Sequence, residues 1–87
     1  MSFDVVEIQP TPNPNAAKFI LNGSISEAPM SFFTADSAKD HPVASKLFGI
    51  PGVASVLLLG DFVTVNKEPQ TRWERIHAKV REILKNC

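Results

Sequence analysis

Val53-Ala54-Ser55-Val56-Leu57-Leu58-Leu59-Gly60-Asp61-Phe62-Val63-Thr64-Val65 is the stretch that decides how this chain folds. Two runs rich in β-branched and aliphatic residues flank Gly60-Asp61, a two-residue link of the kind hairpins prefer. If Leu59 faces Phe62 across that link, the register follows. Side chains alternate along a strand, so Val56, Leu58, Val63 and Val65 line one face. Ser55, Leu57, Leu59, Phe62 and Thr64 then line the other.

Downstream, Thr71-Arg72-Trp73-Glu74 reads as a capping box opening the longest helix. Trp73, Ile76, Val80, Ile83 and Leu84 recur at helical spacing, which predicts one face packed on the sheet. Upstream, Asp40-His41-Pro42-Val43 places a polar capping residue ahead of a proline, where no amide hydrogen is missed. A short helix follows, with Val43, Leu47 and Phe48 on one face and Gly49 expected as a left-handed cap before Pro51.

Further out, residues 16–21 (AAKFIL) predict a strand closed by Asn22-Gly23. Residues 3–9 alternate as another strand, with Val6 and Ile8 on one face and Val5, Glu7 and Gln9 on the opposite one. Between them, Pro10, Pro12 and Pro14 hold φ near −65° and remove donors, so Pro10-Thr11-Pro12-Asn13-Pro14-Asn15 is a stiff extended loop. Segment 24–39 is open to two readings: Met30-Ser31-Phe32-Phe33-Thr34 as a short edge strand, or an apolar cover in a loop. The expectation is an α+β fold, β-β-α-β-β-α with room for one extra short strand. It forms a two-layer sandwich with both helices on one face of a mainly antiparallel sheet. With 87 residues the chain, 1–87, is read as a single domain.

Composition narrows the function classes. The apolar fraction is 44% and the charged fraction 21%, ordinary for a globular chain. Nine Lys and Arg balance nine Asp and Glu, leaving no basic surplus for nucleic acid. The uncharged run 47–60 is broken by Gly49, Pro51, Gly52 and Gly60, so no membrane partner is expected. Asp4 and Glu7 stand where a targeting leader would be basic, which makes the cytoplasm the expected compartment. Cys87 is the sole cysteine, so CxxC and multi-cysteine metal sites are excluded within this sequence.

No catalytic residue is assigned. His41 and His77 have no serine or cysteine arranged with them as a nucleophile, and His77 reads as a half-exposed helix residue. The acids show neither EF-hand nor HExxH spacing, and the glycines form no phosphate loop. Metal ligation comes down to Cys87, which could act only across a dimer or with a partner; the alternative is a frayed terminal residue. Two features ask for more. Leu57, Leu59 and Phe62 make an apolar outer sheet face, a docking surface unless segment 24–39 covers it. Pro12, Asn13, Pro14 and Asn15 make a loop stiffer than a simple connection requires; it is either an interaction site or a rigid strand connector.

The chain also resembles a known family. Thr11-Pro12-Asn13-Pro14-Asn15-Ala16 with Lys18-Phe19, Pro42-Val43-Ala44, Leu47-Phe48-Gly49-Ile50-Pro51-Gly52-Val53, Asp61-Phe62-Val63-Thr64-Val65 and Trp73 are similar to the Nfu/NifU-like N-terminal domain. In that family the domain precedes a C-terminal domain whose CxxC motif holds an iron–sulfur cluster between subunits. This sequence carries no positions for those ligands. The resemblance therefore implies a non-enzymatic accessory domain associated with iron–sulfur cluster assembly or delivery, with an assembly or client protein as partner and no cofactor of its own. The alternative is direct iron or cluster binding through a dimer using Cys87.

Overall fold

A computed structural model describes residues 3–86; the expectation attached to Cys87 lies outside them. Five strands and two helices follow the order β1 (Val5–Pro10), β2 (Ala16–Leu21), β3 (Ser26–Phe32), α1 (Pro42–Phe48), β4 (Val53–Gly60), β5 (Phe62–Lys67) and α2 (Trp73–Lys85). The strands form one antiparallel sheet in the order β1-β2-β5-β4-β3.

The hairpin sets the frame. Leu59 pairs with Phe62, Leu58 with Val63 and Val56 with Val65. Gly60 takes φ +57°, which lets the chain reverse in two residues. Val56, Leu58, Val63 and Val65 are buried, as the alternation predicts. They join Ala17, Phe19 and Leu21 of β2 and the inward residues of both helices in one core. From α1 come Val43, Ala44 and Leu47, and from α2 Ile76, Val80 and Leu84. Burying a Leu or Val side chain fully is worth roughly 1.5–3 kcal/mol, so this shared core is what holds the two layers together. The N-terminal strand is tied in as well: the Phe3 amide donates to the Leu84 carbonyl at 2.8 Å.

Three local expectations need correction, and one open reading is resolved. Segment 24–39 does supply the extra edge strand, which runs Ser26–Phe32 rather than from Met30 to Thr34; an edge strand bonds on one side only and can accommodate Pro29 beside an irregular register. In β1 a bulge falls between Val5 and Glu7. The extra residue shifts the alternation, so Val5 and Ile8 pack on the core while Val6 is 62% exposed. Thr71 does not cap α2; Arg72 occupies the cap position with no side-chain hydrogen bond. Gly49 is right-handed at φ −71°, and α1 ends through tightened bonds from Gly49 to Lys46 and from Ile50 to Leu47. The positive φ falls instead at Gly52, +97°, where a Cβ would overlap the Thr71 side chain.

Candidate functional site: an outer sheet face and a clamped loop

The outer face is built by the register. Ile20 of β2 pairs with Phe62, which pairs with Leu59, so three apolar side chains cross the sheet in a row. Leu57 lies in the neighbouring row, between Thr64 and Ser31. Leu57, Leu59 and Phe62 are half-buried, and the Lys18 ammonium sits 4.1 Å over the Phe62 ring. Segment 24–39 does not lie across them. Its first part is β3, in the plane of the sheet, and Ala38 carries its second part into the core.

The proline–asparagine loop is fastened along its length. The Thr11 hydroxyl lies 2.9 and 3.1 Å from the carbonyls of Asn13 and Ala16, and accepts from the Asn13 amide. Asn13 Oδ1 accepts from the Asn15 amide at 2.9 Å. From outside the loop, Trp73 Nε1 donates to the Pro14 carbonyl at 3.0 Å, and Lys67 Nζ donates to Asn15 Oδ1 at 3.0 Å. The buried Lys67 ammonium also reaches the Glu68 and Pro69 carbonyls and stands 5.6 Å from the Trp73 ring centroid. His77 stacks on Trp73 and meets Phe19 edge-on, each at 5.5 Å. Burial, then the nearby Arg81 charge, lowers its pKa. Pro10, Pro14, Ile8, Ala17, Trp73 and His77 line a shallow cleft of about 300 Å³ beside the loop.

The two sets of predicted interaction residues are not brought together. Phe62 opens β5 and Lys67, beside Asn15, closes it, a separation of roughly 17 Å at about 3.4 Å per residue. The other residues fill local roles. His41 caps α1, its Nδ1 accepting from the amides of Val43 and Ala44 at 3.2 and 3.1 Å. Among the described residues no three His, Cys, Asp or Glu side chains could hold a metal, and no helix is long and apolar enough to cross a membrane.

Sequence reading missed Lys67, Trp73 and His77 as partners of the loop, and Ile20 and Lys18 as parts of the outer face. One signal was present: alternation from Val63 and Val65 puts Lys67 on the inward side, where an unpaired lysine requires acceptors.

Residues 6–87 match the family described as scaffold protein Nfu/NifU N terminal. The chain is 45% identical over 64 residues to the human protein "NFU1 iron-sulfur cluster scaffold homolog, mitochondrial", covering 72% of this chain and 25% of that protein. It is 28% identical over 83 residues to conserved virulence factor C of Staphylococcus haemolyticus, covering 95% of this chain and 22% of that one. The chain thus spans about a quarter of the length of these relatives. In fold it is similar to the crystal structure of protein SAV1430 from Staphylococcus aureus, with TM-score 0.80 and 26% identity over 98% of this chain and 100% of that one. With residues 6–87 matched by the family model, this chain belongs to the Nfu/NifU N-terminal family.

Proposed function

We propose that this chain is a non-enzymatic interaction domain serving iron–sulfur cluster assembly or delivery, which docks on an assembly or client protein and ligates no cluster itself. The observation that carries the reading is the half-buried apolar row Ile20, Phe62 and Leu59, with Leu57 beside it, on the sheet face opposite the helices. A two-layer fold ordinarily presents a more polar face there, and contiguous apolar surface is a common feature of protein interfaces. Family membership supplies the context, since a human relative carries the name of an iron–sulfur cluster scaffold. The sequence offers no CxxC pair for a cluster. The clamped loop acts in this reading as a rigid second contact for the partner.

The test is anaerobic affinity capture of the tagged chain from its own cell lysate, with iron and sulfide assays on the eluate. Named iron–sulfur assembly or client proteins should be recovered with the wild type and lost with Phe62→Glu or Leu57→Glu, both still folded by circular dichroism. Equal recovery with the folded variants would remove the outer face from the reading. Stoichiometric iron and sulfide on the chain without a protein partner would replace it with cluster binding through Cys87 in a dimer.

A further inference from the structure

The exposed side of α2 carries a charge pattern that neither the core nor the outer sheet face uses. Across residues 72–85 the bases are Arg72, Arg75, Lys79, Arg81 and Lys85 and the acids Glu74 and Glu82, a net +3 in a chain that is neutral as a whole. All seven are exposed, and none forms an ion pair among the described residues. Arg75 and Lys79, like Arg81 and Lys85, are four residues apart, so like charges stand one turn above each other and repel. A helix arranged for its own stability would place a base three or four residues after each acid. Here Glu74 has His77 and Ala78 at those spacings, and Glu82 has Lys85 three residues on with no ion pair between them.

Three of these bases border a concavity. Arg72, Arg75 and Lys79 rim an open groove of about 1180 Å³ between α2 and the turn at residues 50–52. Its lining includes Pro51, Gly52 and Ala78, small or apolar surfaces that compete for no hydrogen bond. Glu74 and Glu82 stand at its borders as well. Arg81 and Lys85 are not among its lining residues.

We propose that this groove docks an acidic segment of a partner protein, carboxylates against Arg72, Arg75 and Lys79 and apolar side chains over Pro51 and Ala78. Charge complementarity identifies the occupant: three bases against two acids leave the rim net positive, none of the three bases forms an ion pair among the described residues, and a carboxylate is the group that pairs with them. Glu74 and Glu82 repel a segment that sits out of register, which supplies selectivity as well as attraction. The groove lies in the helix layer, away from the outer sheet face, so the inference stands or falls without the docking surface proposed above.

The probe is a blocked, glutamate-rich peptide with leucines at helical spacing, titrated into the isotopically labelled full chain and followed by amide chemical shifts. Shifts should concentrate at residues 50–52 and 72–82, and binding should weaken as salt is raised. Two double reversals change the net charge equally: Arg75→Glu with Lys79→Glu inside the groove, and Arg81→Glu with Lys85→Glu outside it. The first should weaken binding about tenfold or more and the second by less than about twofold, in line with ~1.4 kcal/mol per decade. If the first reversal unfolds the helix, Arg75→Gln with Lys79→Gln takes its place. Equal weakening by both reversals, shifts elsewhere, or no shifts would overturn the proposal. Displacement of the peptide by duplex DNA or phosphatidylglycerol vesicles at equal charge concentration would overturn the partner class.

Discussion

His77 shows how one side chain can link pH to stability here. Its ring lies between Trp73 and Phe19, and burial, assisted by the Arg81 charge, lowers its pKa below the ordinary 6.5. The unfolded chain therefore takes up a proton on this residue before the folded one does. Stability contributed by neutral His77 is fully present above about pH 6.5 and declines as the pH falls toward the folded-state value. Phenylalanine keeps the ring and removes the titration. Thermal unfolding across pH 5 to 8 should show the wild type losing stability on acidification relative to His77→Phe. Parallel profiles for the two proteins would contradict this assignment.

Among the elements, the loop between β1 and β2 depends on a cation supplied 52 positions further along the chain. Lys67→Met keeps the alkyl stem but strands Asn15 Oδ1 without its donor, which should cost about 1–3 kcal/mol in urea unfolding. Asn15→Ala should be costly too, and the double variant should cost less than the sum of the two. Additive losses would mean that the 3.0 Å contact contributes little. Local alternation turns Lys67 inward but does not name its partners, because Asn15, Lys67 and Trp73 meet only after the sheet and α2 have packed. The hairpin was legible for the opposite reason: Gly60 and two alternating runs specify register within thirteen residues, and Leu59 does face Phe62. The resemblance carried by the Pro-Asn motif, the Leu47 to Val53 block and Trp73 also led to the right family. The β1 bulge was hidden because Val5 and Val6 are equivalent in any pattern of polarity, and pairing with Leu21 and Ile20 decides which one turns inward. β3 was only half visible, since Glu27 and Pro29 are ordinary at an open edge yet argue against a central strand. The outer face was anticipated in Leu57, Leu59 and Phe62, whereas Ile20 needed the β2–β5 pairing to join them.

For the molecule as a whole, sheet and helices share one core, so they should unfold together. Leu84→Ala opens a cavity at the point where α2 meets the sheet, and a loss of about 2–5 kcal/mol is expected. That is a large part of the roughly 5–15 kcal/mol typical of a small domain. Trp73 fluorescence and the far-ultraviolet signal of the sheet should still report a single transition. Two separated transitions would show that α2 can leave without the sheet. The bond from the Phe3 amide to the Leu84 carbonyl adds a topological consequence, because it brings the first strand and the last helix to the same corner. Two points far apart along the chain thus meet across a single 2.8 Å hydrogen bond. Joining the chain near Phe3 to the chain near Leu84 and opening it at another loop, as in a circular permutation, should therefore leave the sheet and its core in place.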